Sequence, residues 1–121
     1  SAKMFSPTEY VALDLDFHRA IVNAAHNPLF PLVLDPFMTL MRESRRLGAS
    51  VDGAPQRTIH AHMNILECIK RRDPDAARNA MKEHCNLVAG FIEKGSSQSA
   101  HPPKAATTKR SQRSARQKNA Q

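Results

Sequence analysis

The stretch "ALDLDFHRAI" (residues 12–21) places two aspartates and a histidine in an otherwise apolar run. Its apolar residues recur at spacings of three and four, which is typical of an α-helix with one face toward a core. Asp14 and His18 are four residues apart and share that face, whereas Asp16 points away from it. Because an unpaired buried carboxylate is strongly destabilising, Asp14 needs a partner in the core.

Helical spacing continues along most of the chain, and no stretch shows convincing strand alternation. "SPTE" (6–9) is a capping-box pattern that opens a first helix reaching to about Ala25. A second helix is predicted at about Asn27–Arg46, with a kink or break near Asp35–Pro36. A third is predicted at about Gln56–Arg72. A fourth is predicted from Asp73–Pro74 to Lys94, with Gly95 as its C-terminal cap. The short connections predict an all-α fold, an antiparallel helical bundle.

Positive charge is concentrated at the C-terminal end of the chain. Residues 1–94 hold 12 Lys/Arg and all 11 Asp/Glu, whereas residues 95–121 hold six Lys/Arg and no acid. That segment has no large apolar side chain, which predicts a disordered basic tail after a folded domain over 1–94. Such a tail either attracts nucleic acid weakly or has no dedicated partner. No apolar run approaches the roughly 20 residues of a membrane span, so we expect a cytoplasmic protein without membrane association.

The apolar faces predicted for the third and the fourth helix each contain a histidine as well. His62 shares a face of the third helix with Ile59, Ile65, Leu66 and Ile69, and His84 shares a face of the fourth with Ala77, Met81, Val88 and Phe91. His60 points almost opposite to His62. One histidine on an apolar face is usually a hydrogen-bonded core residue. Three histidines and Asp14 on converging stripes form a donor set for a single first-row metal ion.

Two other metal sites are disfavoured by the sequence. A dinuclear carboxylate site in a helical bundle needs paired Glu-x-x-His motifs, and none occurs here. Cys68 and Cys85 are 17 residues apart, which does not fit a zinc finger.

Two segments together resemble a known family of regulatory domains. "DLDFHRAIVNAAHNPLF" (14–30) and "HMNILECIKRRDPDAARNAMKEH" (62–84) resemble the C-terminal effector-binding (FCD) domain of the FadR subfamily of GntR-type transcription regulators. The resemblance covers about residues 10–92. It implies that Asp14, His18, His62 and His84 hold one divalent metal, with zinc as the first candidate and nickel, manganese or iron as others. Asn27 matches a motif position and is expected either to contact the effector or only to cap the second helix.

The resemblance also implies how such a domain works. A small carboxylate effector would occupy the open positions of the metal, and the regulator would be a homodimer that binds DNA through a winged helix-turn-helix domain. The resemblance places that domain, and then one or more further helices, before the helix of Asp14 and His18; neither is found in these 121 residues, so we expect the bundle to be incomplete at its N-terminus.

Two other functions remain open from the residues alone. An enzyme could use a metal-bound water held by the three histidines and Asp14 for hydrolysis or isomerisation, but the core stripes offer no further acid or base, so we expect no enzymatic activity. A helical interaction module, with the histidines in a structural role, would bind no stoichiometric metal.

Overall fold

The computed structural model describes residues 5–100, which form four α-helices joined by short connections. These are α1 (Pro7–Ala24), α2 (Leu29–Ala49), α3 (Ala54–Lys70) and α4 (Pro74–Ala100). No strand occurs within residues 5–100, which confirms the all-α prediction. None of these helices combines the length and apolar character that crossing a bilayer requires.

The predicted helix starts are confirmed at α1 and α4. At α1 the Ser6 hydroxyl accepts a hydrogen bond from the Glu9 amide at 3.2 Å, and the Glu9 carboxylate accepts one from the Ser6 amide at 2.9 Å. At α4 the Asp73 carboxylate accepts from the Ala76 amide at 2.9 Å. Each bond satisfies an amide that has no partner inside the helix, so the caps fix where the helices begin.

The predicted break near Asp35–Pro36 does not occur, because α2 runs without interruption from Leu29 to Ala49 with Pro36 inside it. A proline in a helix deprives the carbonyl four residues earlier of its partner. Here that carbonyl belongs to Leu32, which is exposed together with Pro36, so water can replace the lost partner. Boundaries of α3 differ from prediction by two residues at each end.

The predicted end of α4 is wrong, because the helix continues through Gly95 to Ala100. Gly95 is buried against the backbone of α2, where a Cβ atom would collide with the carbonyl of Leu47. The glycine therefore permits close helix packing rather than ending the helix. Residues 95–100 of the predicted tail are helical, and residues 101–121 lie outside the described residues.

Gly95→Ala is expected to lower the free energy of unfolding by about 1–3 kcal/mol, because α2 and α4 must separate to make room for the methyl group. Gly90→Ala provides the control, since a Cβ there meets no atom within 4 Å. Removing backbone entropy at that helical position should stabilise the domain by about 0.5–1 kcal/mol. Urea unfolding of both variants measures the difference. Equal stability of the two variants would contradict the close packing at Gly95.

Most of the core lies in two apolar clusters, and in the sequence of α1 Asp14 stands among the residues of the first. One cluster joins α1 to α2 through Tyr10, Val11, Leu15 and Met38. The other joins α3 to α4 through Ile65, Cys68 and Ala80, with Phe17 and Ile21 of α1 packed against it. The stripe predicted for α3 is only partly right, because Ile59, Leu66 and Ile69 are exposed while Thr58 and Cys68 are buried. α3 is thus rotated slightly from the predicted orientation, with His62 still facing inward.

Candidate metal centre

The four side chains predicted as metal ligands lie together in the interior. Asp14 and His18 come from α1, His62 from α3 and His84 from α4, and one donor atom of each lies within 4.8 Å of all the others. Asp14 is 2 % exposed and His84 is fully buried. Because Asp14 and His18 lie four residues apart on one face of α1, both point toward the histidines on α3 and α4.

The contacts among these residues are short. The Nε2 atoms of His18 and His84 are 3.2 Å apart, and His62 Nε2 lies 3.4 Å from Asp14 Oδ1. Neighbouring nitrogens bound to one metal ion at the usual 2.0–2.1 Å lie about 2.9–3.3 Å from each other, so the His18–His84 separation already suits two ligands of one ion. The His62 ring stacks on Phe17, with centroids 3.9 Å apart, which fixes its orientation.

Arg45 is a fifth member of this cluster that the sequence analysis missed. Its Nε donates to Asp14 Oδ2 at 2.7 Å, and its side chain is only 12 % exposed. Arg45 lies on the inner stripe of α2, at helical spacing after Met38 and Met41 and before Gly48. That spacing indicates that Arg45 faces inward, but it does not identify Asp14 as its partner, because the two residues are 31 positions apart in the sequence.

Several polar atoms of the cluster have no hydrogen-bond partner among the described residues. Asp14 Oδ1, His62 Nε2 and His84 Nδ1 are buried and unpaired. Leaving a buried polar atom unpaired is costly, and such atoms usually indicate a missing partner. Asp14 Oδ1 offers a lone pair, and His62 Nε2 offers one in the tautomer that has its proton on Nδ1, so a cation between these two atoms would satisfy both. One carboxylate and three imidazoles suit zinc and other first-row metals.

Residues 2–87 of the chain match the family model of the FCD domain. The chain belongs to the FCD domain family. FCD domains are the effector-sensing domains of GntR-type regulators, so this chain is a regulatory domain and not an enzyme. Assignment to the FadR subfamily stays a prediction.

Curated relatives of this FCD domain include proteins named HTH-type transcriptional repressor NanR. Those of Salmonella newport and Salmonella typhimurium are each 27 % identical to it in an alignment of 88 residues that covers 66 % of this chain. The chain spans about a third of the length of these relatives, 32 % of the Salmonella newport protein. No solved structure matches the chain significantly.

Burial favours the neutral form of the three clustered histidines of the FCD domain, because it lowers their pKa values. It lowers the pKa of His62 and of His84 to about 4, against the opposing attraction of Asp14, and it also lowers the pKa of His18. Neutral imidazole is the form that binds metal. Protons therefore compete with a metal for these imidazoles only at a pH below the ordinary histidine pKa of about 6.5.

The remaining residues considered in the sequence lie outside the cluster. Asp16 and His60 are exposed, as helical phase predicts. Asn27 lies at the corner between α1 and α2, where its side-chain oxygen accepts from the Leu29 amide at 3.0 Å. It lines a surface cavity whose walls contain none of the four clustered residues. A contact between Asn27 and an effector therefore stays a prediction, while its hydrogen bond to the Leu29 amide at the start of α2 is observed.

Two cavities border the cluster of the FCD domain from different sides. One of about 60 Å³ touches Asp14 and His62 and is otherwise lined by Phe5, Tyr10, Leu13 and Ile59. The other, a groove of about 550 Å³ between α3 and α4, touches His84 and is lined by polar residues that include Arg57, His60 and Asn64. The larger groove thus has space for a small molecule beside His84, whereas the smaller cavity has space only for a small group beside Asp14 and His62.

Proposed function

We propose that this FCD domain senses a small organic acid through one divalent metal held by Asp14, His18, His62 and His84. Zinc is the first candidate, followed by nickel, manganese or iron. The observation that carries the proposal is the convergence of these donors from three helices, with Asp14 Oδ1 and His62 Nε2 buried, adjacent and unpaired.

The protein side chains prepare the site before any ion arrives. The three imidazoles are neutral, Phe17 holds the ring of His62, and Arg45 fixes one oxygen of Asp14 while the other stays available. When bound, the metal would supply a Lewis-acidic centre for a carboxylate. Since the ligands lie on α1, α3 and α4, an effector there can favour one packing of the helices over another.

The regulator containing this domain would act on DNA as a cytoplasmic homodimer. The NanR relatives are named HTH-type repressors, and they extend well beyond the matched part. The outer face of α2 supports a protein partner, because it exposes the large apolar residues Leu29, Phe30, Leu32, Val33, Phe37 and Leu40. Soluble monomers rarely expose so continuous an apolar patch.

Purified protein is expected to carry one divalent metal per chain, measured by elemental analysis together with native mass spectrometry. Removing the metal with a chelator should lower the melting temperature, because a ligand that binds only the folded state stabilises it. A protein without stoichiometric metal, whose melting temperature does not respond to the chelator, would instead support the structural interaction module.

A further inference from the structure

The buried charges around the metal cluster are few. Within the cluster, Asp14 is the one carboxylate and Arg45, which contacts it, is the one guanidinium. Imidazoles bind a metal in their neutral form, so one negative and one positive charge remain beside a bound ion. Arg45 Nε and Asp14 Oδ2, 2.7 Å apart, bring these two charges into direct contact.

The ion pair between Arg45 and Asp14 changes the net charge of the site that a metal would enter. A carboxylate ligand normally offsets part of the charge of a divalent cation, but the charge of Asp14 is already balanced by Arg45. A divalent ion in this site would thus leave two positive charges uncompensated in a region with little solvent. Such charges are costly because a region of low dielectric constant solvates an ion poorly. An anion from solution would relieve the cost.

The structure has space for the charged end of such an anion. The cavity of about 60 Å³ beside Asp14 and His62 has the volume of about two water molecules, comparable to a carboxylate group. Its outer walls are the apolar side chains of Phe5, Leu13 and Ile59, which favour an organic acid with an apolar or neutral remainder. The walls include no charged residue besides Asp14 and the titratable His62.

We propose that Arg45, by neutralising Asp14, makes metal binding by this domain depend on a carboxylate bound beside the metal. Metal and carboxylate then bind cooperatively, and each raises the affinity for the other by the same factor. This inference rests on the proposed metal site. Arg45 acts as a positioning residue, through its contact with Asp14 and through its charge.

The test measures the zinc affinity of the purified protein by competition with a chromophoric chelator. Acetate is the probe, compared with chloride at equal pH and ionic strength. Acetate should tighten zinc binding about tenfold in the wild type. Arg45→Gln can still donate to Asp14 but has no charge, and it should reduce the acetate effect at least about threefold. Arg45→Lys keeps the charge and should preserve most of the effect.

Arg46→Met is the matched control, because Arg46 is exposed and pairs with Glu43 on the same helix. It should respond to acetate like the wild type. Stoichiometric zinc binding that acetate does not change would overturn this inference and leave the proposed metal site intact, whereas absence of zinc binding would overturn the proposed function itself. If Arg45→Gln responds to acetate as the wild type does, Arg45 has no part in the coupling. Even where Arg45→Gln folds poorly, the inference can be overturned, because a missing acetate effect in the wild type contradicts it directly.

Discussion

His62→Ala is expected to abolish stoichiometric metal binding, while His60→Ala leaves it unchanged. The two histidines are two residues apart on α3, yet His62 faces the cluster and His60 is exposed. Loss of one of four ligands from a site buried in a helical bundle leaves too few donors, and we expect zinc affinity to fall by about 100-fold or more. Elemental analysis and zinc competition measure the effect, and circular dichroism checks that both variants fold.

Asp14→Ala and Asp16→Ala repeat this comparison on α1. Asp14→Ala should lose the metal and Asp16→Ala should keep it, because Asp14 is 2 % exposed in the cluster and Asp16 is exposed on the opposite side. Metal retained by both His62→Ala and Asp14→Ala would contradict the proposed site. Asp14→Ala also leaves the guanidinium of Arg45 buried without its partner, so His62→Ala and His60→Ala give the cleaner comparison.

Arg45→Met is expected to destabilise the metal-free domain by about 3–5 kcal/mol. Removing one member of a buried ion pair leaves the other charge buried and uncompensated. In this structure that charge is Asp14, whose second oxygen is already unpaired. Urea unfolding of protein stripped with a chelator measures the change. Adding zinc should recover much of the loss, because the metal supplies a second cation to Asp14.

Two further variants separate the ion pair from its surroundings. Arg46→Met should change the stability by less than about 1 kcal/mol, because exposed ion pairs contribute little. The double variant Asp14→Leu/Arg45→Met should be more stable than either single variant, since apolar groups of similar size replace both charges. If Arg45→Met costs no more than Arg46→Met, the contact at 2.7 Å does not hold the fold together.

Local signals predicted the helix starts well and the helix ends less well. The Ser6–Glu9 and Asp73 caps depend on side chains within three residues of the amides they bind, so the sequence contains all that is needed. Gly95 carries the signal of a helix end, but the contact between α4 and the Leu47 carbonyl gives it a different role. Pro36 likewise indicates a break, but its exposed position on α2 allows the helix to continue.

In the candidate site, too, one part was predictable from local sequence and another part was not. Helical phase, a rotation of about 100° per residue, was enough to distinguish Asp14 from Asp16 and His62 from His60. The sequence by itself therefore determined that Asp14, His62 and the other two metal-binding side chains face the core, although it misplaced part of the apolar face of α3. Only the tertiary structure decided that Arg45 contacts Asp14, because pairing across 31 residues depends on how α1 and α2 pack, and no local periodicity encodes that distance.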